Sequence, residues 1–245
     1  MLVESVDSRF FRQIPLFGKD GQEKLGNARV LLAGVGGLGS VIATYLAFAG
    51  VGYIRVVDED VVNISNLNRQ ILYRERDVGV CKVDAAARMI CSFNRSIEVD
   101  AVCQHIDDTT VGDLTCGMDL IVDGLDNFAS RYVLNHASLR ENIPFVHGAV
   151  NGFCGQVTTL VPGTTPCLRC IFPTMADCGT GAVVGATCGV IGCIEATEVI
   201  KYLTGIGKLL ANRLLLWDGL MCETESIGIM NSLNCKDCGA WRFGV

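Results

Sequence analysis

Apolar residues along the chain fall into short uninterrupted runs separated by glycine, polar caps and charged turns. Arg29–Ala33 (RVLLA) and Tyr53–Val57 (YIRVV) are apolar almost throughout instead of alternating. That is the pattern of strands buried on both faces of a parallel sheet. Between them Leu38–Ala49 has the length and composition of a buried helix, so the segment reads as a βαβ unit. The rhythm continues with a helix over Gly79–Phe93, strands at Glu98–His105 and Leu120–Gly124, a helix over Phe128–Glu141 and a strand at Phe145–Val150. Two short helices, Asp7–Gln13 and Asp20–Gly26, are expected ahead of the first strand. After Val150 the period changes to two: Gly155–Val161 alternates and follows the preceding strand across a short NGFC turn, which predicts an antiparallel hairpin. Residues 162–186 read as a long loop, followed by a helix over Gly189–Thr204 and strands at Arg213–Trp217 and Glu225–Asn231. The expected fold class is α/β, a doubly wound sheet with a parallel N-terminal half extended by antiparallel C-terminal strands. No repeat or linker divides the chain, so 1–245 is expected to form a single domain.

Composition narrows the function classes. Of 245 residues, 50% are hydrophobic and 19% charged, which excludes a disordered chain. Twenty basic against 26 acidic residues leave no electrostatic footprint for nucleic acid. Residues 30–54 carry no charge and have the length of a membrane span, yet they contain six glycines, four of them between Gly34 and Gly39. Each would cost a helix about 1 kcal/mol relative to alanine, so strand, turn and buried helix are expected there, and no membrane partner. The N-terminus lacks the apolar core of a signal peptide, which points to a cytoplasmic protein. Thirteen cysteines are an odd number, and without a secretory signal they favour metal ligands or reactive thiols over a disulfide framework.

Gly34, Gly36 and Gly39 spell G-x-G-x-x-G between a predicted strand and helix, with Gly37 inside the turn. This matches the Rossmann-like nucleotide turn, in which bare backbone lets phosphate approach amide N–H groups at a helix N-terminus; glycines needed only for tight helix–strand packing are the alternative. Asp58 ends the next strand, 19 residues beyond Gly39, where a carboxylate can bind ribose hydroxyls. That much serves NAD and ATP equally, while the absence of G-x-x-x-x-G-K-[ST] excludes a P-loop. Downstream lie Asn66, Arg69, Gln70 and Lys82, and Asp126 follows the strand Leu120–Gly124. Extra cations suit attack on a phosphate, where charge grows on the oxygens, better than they suit hydride transfer. A carboxylate at Asp126 could hold Mg²⁺ against the phosphates. Taken singly, Arg69 and Lys82 could equally be solvated charges and Asp126 a helix cap.

Cys167 with Cys170 and Cys235 with Cys238 form two C-x-x-C pairs in turn-like segments. Four thiolates at that spacing make a closed, structural zinc site. The remaining cysteines read as small packing residues, except Cys178 in the long loop. His105, His136 and His147 show no metal spacing.

The segments RFFRQI (9–14), DGQEKLGNARVLLAGVGGLGS (20–40), VVDED with SNLNRQ (56–70), VGVCK (78–82) and DGLDNFASRYVLN (123–135) resemble the MoeB/ThiF/HesA family, relatives of ubiquitin-activating enzymes. The likeness runs through the chain in the same order. It implies that Asp58 binds the ATP ribose, that Asn66, Arg69 and Lys82 contact phosphates, and that Asp126 is the Mg²⁺-associated carboxylate. It further implies that Arg12 reaches into a dimer partner's active site, that the paired C-x-x-C motifs hold zinc, and that Cys178 takes part in a covalent link to the carrier or in sulfur transfer. The implied reaction is adenylation of the C-terminal carboxylate of a ubiquitin-like sulfur-carrier protein ending in Gly-Gly, by a homodimer. No rhodanese-like segment follows residue 245, so a sulfur donor is expected to be a separate protein. Rival readings are an adenylating relative acting on tRNA or a peptide, an NAD-dependent oxidoreductase, and a non-catalytic scaffold for ubiquitin-like proteins.

Overall fold

Parity within the apolar runs decides the architecture. In strand β1 (Arg29–Ala33), Val30 and Leu32 enter one core and Leu31 and Ala33 the other. Strand β2 (Tyr53–Val57) and strand β4 (Leu120–Asp123) divide in the same way, Ile54, Val56, Leu120 and Val122 to one side, Tyr53, Val57 and Ile121 to the other. Successive side chains of a strand point to opposite faces, so runs that are apolar at every position require helices on both.

The computed structural model describes residues 6–174 and 181–239. Ahead of β1 come helices α1 (Val6–Arg9) and α2 (Ile14–Asn27); α3 (Gly37–Ala49) joins β1 to β2, and α4 (Lys82–Phe93) leads to β3 (Glu98–Val102). Helix α5 (Val111–Thr115) precedes β4, and α6 (Phe128–Glu141) leads to β5 (Phe145–Asn151) and its hairpin partner β6 (Cys154–Leu160). The chain continues through α7 (Leu168–Ile171), α8 (Gly185–Thr204), β7 (Arg213–Asp218) and β8 (Glu223–Gly228). All eight strands form one sheet in the order β3-β2-β1-β4-β5-β6-β7-β8. Pairing is parallel from β3 to β5 and antiparallel from β5 to β8. The expected class, a doubly wound parallel half with an antiparallel extension, is what forms. Strand order reverses between β1 and β4, and the crevice at the carboxyl ends of these strands is where such sheets bind ligands. The uncharged run 30–54 is strand, turn and buried helix, and among the described residues no helix is long and apolar enough to cross a membrane.

Several boundaries differ from expectation, each for a local reason. The N-terminal helices become α1 and a longer α2 broken at Gly18, whose φ of 74° cannot continue a helix. The fourth helix starts at Lys82, three residues late, because Gly79 takes a positive φ of 86° in the preceding turn. Strand β3 stops at Val102, where its partner β2 ends in the pair Val57–Val102. Strand β8 begins early, at Glu223, where it pairs with Asp218 of β7. The long loop contains α7 and gives up its last residues to α8, which begins at Gly185. A Cβ at Gly185 would lie 2.8 Å from the carbonyl oxygen of Asn68, so a tertiary contact places that end of the helix.

Candidate active site

The glycine turn is built by contacts between backbones. Gly34 has φ of +85°, and a Cβ on it would lie 2.7 Å from the carbonyl oxygen of Gly124; a Cβ on Gly39 would lie 2.0 Å from the carbonyl oxygen of Gly34. The turn after β1, the first turn of α3 and the loop after β4 are therefore pressed together with no room for side chains. Gly36, the N-cap of α3, faces open space with only Gln70 Nε2 nearby, at 3.7 Å from a Cβ there. It borders a cleft of about 1190 Å³ that opens at the carboxyl ends of the parallel strands. Amide groups at the start of α3 and a side-chain-free rim make a cradle suited to phosphate.

Asp58, Asn66, Arg69, Gln70, Lys82 and Asp126 all line this cleft, with Gly34, Gly36 and Gly37; Gly39 lies behind the turn and acts through packing. Asp58 accepts hydrogen bonds from the amides of Val35 (2.9 Å) and Asp60 (3.0 Å), so it braces the glycine turn as well as facing the cleft. Burial pushes its carboxyl above the ordinary value, against the pull of Lys82 and the two amides. Lys82 is buried with its ammonium 2.7 Å from Asp60 and 4.0 Å from Asp58. A phosphate in the cleft would compete with Asp60 for this ammonium. The Arg69 guanidinium is half-buried and donates to Ser65 O and Asn68 Oδ1, both at 3.0 Å. Gln70 Oε1 is buried without a hydrogen-bond partner, an orphan polar atom at the cleft wall. Asp126 is exposed on the loop after β4 and does not cap α6; that cap is Asn127, whose side chain accepts from the Ser130 amide.

Beneath the Asp126 loop lies a buried polar network that sequence reasoning missed. Asp123 Oδ2 accepts from Arg131 Nε (2.8 Å) and from His147 Nδ1 (2.6 Å), and its Oδ1 accepts from the Leu125 amide (2.9 Å). Arg131 also donates to the carbonyl oxygens of Leu125 and Gly148. The backbone just before Asp126 is thus gripped from both sides. Burial raises the Asp123 carboxyl, but Arg131 and His147 outweigh it and the net shift is downward. Burial lowers His147 despite Asp123, so the imidazole is neutral with Nδ1–H donated and Nε2 turned to Gln156 at 3.4 Å. Glu195 of α8 is fully buried against Gly148 and neither carboxylate oxygen has a hydrogen-bond partner. Its carboxyl is raised well above the ordinary value by burial and then by Asp123. The DGLDNFASR segment names Asp123 and Arg131, but His147 and Glu195 come from distant strands and helices.

Cys167, Cys170, Cys235 and Cys238 come together beside Leu139 of α6, their sulfurs all within 4.8 Å of one another. Cys167–Cys235 is 3.5 Å, Cys170–Cys238 is 3.4 Å and Cys167–Cys170 is 3.9 Å. Disulfides require about 2.05 Å, whereas the edge of a tetrahedron with Zn–S near 2.3 Å is roughly 3.8 Å. The thiols fit a tetrahedral metal ion, and the cluster could hold zinc. Asp237, between the second pair, accepts from Asn135 Nδ2 (2.8 Å) and Arg169 Nε (3.0 Å), and lies 3.1 Å from His136. No sequence spacing announced that support.

One expected residue stands apart from the cleft. Arg12 is exposed and does not line it. Its neighbours Phe10 and Gln13 dock at the opposite end of α3, Gln13 donating to Ala49 O at 2.8 Å. The 13 residues of α3 put that end about 20 Å from the glycine turn, at 1.5 Å per residue. Cys178 lies outside the described residues. The expectation that the other cysteines pack in the core holds for Cys188, which is buried, and fails for Cys91, Cys103, Cys116, Cys154 and Cys222, which are exposed at element ends and edges.

A glycine turn at the switch point with cations and a carboxylate around it, together with a four-thiol cluster, fits an E1-like class of α/β protein. The model of the ThiF family matches residues 10–239, and the chain belongs to that family. It is 42% identical over 228 residues to "SAMP-activating enzyme E1" of Haloferax volcanii, covering 91% of this chain and 84% of the relative. It is 38% identical over 233 residues to "Adenylyltransferase and sulfurtransferase MOCS3-1" of Zea mays, covering 92% of this chain and 50% of the relative, so it spans about half of that protein. Among solved structures, E. coli MccB with ATP superposes with a TM-score of 0.86 at 26% identity, covering 96% of this chain and 75% of MccB.

The buried acid at Glu195 generates a pH dependence. An acid whose pKa is raised by folding stays protonated in the native state while the unfolded chain ionises, so stability falls as pH climbs from the usual carboxylate range toward the raised value. Glu195→Gln keeps the shape and removes the acid. Its denaturant midpoint is expected to match wild type near pH 4 and exceed it at pH 8; equal midpoints at both would show that the acid is not held neutral.

Proposed function

We propose that this chain is an ATP-dependent adenylyltransferase that activates the C-terminal Gly-Gly carboxylate of a ubiquitin-like sulfur-carrier protein. The supporting observation is the convergence of Asn66, Arg69, Lys82 and Asp126 on one glycine turn at a helix N-terminus. A carrier carboxylate oxygen attacks the α-phosphorus of ATP, pyrophosphate leaves, and an acyl-adenylate remains. A carboxylate is a poor acyl donor because its leaving group would be oxide; AMP leaves easily. No protein nucleophile is needed, only positioning and neutralisation of growing charge. In this reading Asp58 and the backbone of Gly34, Gly36 and Gly37 hold the nucleotide, Gln70 offers its unpaired oxygen, and Asn66, Arg69 and Lys82 meet the phosphates. Asp126 would hold Mg²⁺, which would supply further neutralisation of phosphate charge. Cys178 would accept the acyl group in a later step, a role that rests on sequence alone. Cys167, Cys170, Cys235 and Cys238 would hold a structural zinc.

The test is ATP–pyrophosphate exchange with a panel of Gly-Gly-ending carriers from the same genome. Exchange is expected with one of them, and Arg69→Ala and Asp126→Ala are each expected to lose about 100-fold or more. Wild-type rates in both variants would refute their roles, and no exchange with any carrier, with NADH bound instead, would refute the reaction.

The distance of Arg12 from its own cleft supports a homodimer in which it serves the partner. Arg12→Ala and Asp126→Ala should each be nearly inactive alone, yet an equal mixture should recover about one quarter of wild-type exchange, since half of the dimers are mixed and each has one intact site. No recovery after subunit exchange would dismiss the shared site.

Freshly purified protein is expected to carry one equivalent of zinc, and Cys235→Ser to lose both the metal and several degrees of Tm. Well under one equivalent in the wild type would reject the metal.

A further inference from the structure

Two thiols that adenylation does not use meet at the rim of the cleft. Cys81 immediately precedes Lys82 at the start of α4, and Cys103 immediately follows β3; their sulfurs are 3.7 Å apart, with Cys103 S–H donating to Cys81. Cys103 is exposed and Cys81 half-buried, so solvent reagents reach the pair. Neither belongs to a candidate metal cluster among the described residues. Both are joined to the nucleotide site through the chain. Lys82 lines the cleft beyond Cys81, and Gln104 and His105 line it beyond Cys103. Cys103 Sγ also lies 3.8 Å from the carbonyl oxygen of Glu59, another residue of the cleft wall. The backbone of Cys81 bridges to Val61, and the next amide, that of Lys82, donates to Asp60 O at 2.9 Å. Any shift of Cys81 is therefore transmitted to Lys82 and to the acidic loop that carries Asp58 and Asp60.

We propose that Cys81 and Cys103 are a modification site, forming a reversible disulfide that switches off the cleft. The gating half of this proposal rests on the adenylation reading; the bond itself does not. A peroxide is the oxidant: Cys103 sulfur attacks the O–O bond and becomes a sulfenic acid with loss of water. The Cys81 thiol then displaces the hydroxyl as a second water, closing the S–S bond; the dithiol loses two electrons and two protons and the peroxide is reduced to water. Bonding requires the sulfurs to close from 3.7 Å to about 2.05 Å. Misplacement by about 1 Å can cost roughly 100-fold in rate, and the group moved here is the one beside a phosphate-facing lysine. The hydrogen bond to Cys81, then burial and the nearby Asp84 and Asp58 carboxylates, hold the Cys103 thiol above its ordinary pKa. The pair is thus slow to oxidise at neutral pH without a strong oxidant, and quicker in alkali.

The test treats the full chain with hydrogen peroxide, alkylates the remaining thiols and maps tryptic peptides by mass spectrometry. Peptide 77–82, which holds Cys81, is expected to be cross-linked to peptide 96–131, with fragmentation assigning the bond to Cys103 and not Cys116. In parallel, carrier-dependent ATP–pyrophosphate exchange is expected to fall about tenfold or more and to return with dithiothreitol. Cys103→Ser should keep its exchange rate through the same treatment, which separates this bond from oxidation of the four-thiol cluster. Absence of the cross-link once two thiols per chain have been consumed overturns the site, and a cross-linked protein that exchanges at the reduced rate overturns the gate. If the reduced protein shows no exchange at all, the adenylation reading fails while the peptide map still decides the disulfide.

Discussion

Backbone-on-backbone contact at the switch point of the sheet is the constraint on which the rest of this structure depends. Gly34, Gly39 and Gly124 bring the turn after β1, the first turn of α3 and the loop after β4 so close that a Cβ on any of them would meet a carbonyl oxygen at 2.7 Å or less. Because the glycine turn and the Asp126 loop share this contact, their spacing is set by hard-sphere packing and does not rely on flexible side chains. Amides that Asp58 accepts then tie the end of β2 into the same unit.

Below that contact, the cost of burying charge is met by close pairing. Asp123, Arg131 and His147 are almost wholly buried, and beyond one another they contact the Leu125 backbone, the Gly148 carbonyl oxygen and Gln156 of the cleft. Removing one member of such a pair leaves a desolvated charge, typically worth about 3–5 kcal/mol, so the network is intolerant of partial change. Its effect is to hold the Leu125 backbone still while leaving the Asp126 carboxylate in the open. Glu195 is the exception, a carboxyl with no partner that is kept neutral by its surroundings.

The thiol cluster works at longer range. It binds the segment after β6 to the segment after β8, which are separated by 68 residues between Cys167 and Cys235. Asp237 adds a polar anchor onto α6 through Asn135, so the tail is seated on the same helix whose N-terminus follows Asp126.

Much of the site was legible because its residues sit in local motifs. The glycine turn, Asp58 and Asp126 follow strands and Lys82 starts a helix, the family resemblance added the Asn66–Gln70 run, all of them line one cleft, and runs apolar at every position already required a sheet covered on both faces. Short elements were not legible: α5 and α7, with five and four residues, are too brief to show a period. Nor were the outcomes of long-range packing. His147 reads as an unassigned histidine until β5 lays it against Asp123, Glu195 as a polar position on a helix until α8 buries it, and Cys81 with Cys103 as two stray cysteines until α4 and β3 set their sulfurs side by side. By itself the sequence determined the fold class, the glycine turn and the four candidate metal ligands, since these depend on spacing within a few residues. Only the tertiary structure decided which charges are buried and paired, that Arg12 does not line the cleft, and which thiols meet, because those depend on distances between segments that no local pattern encodes.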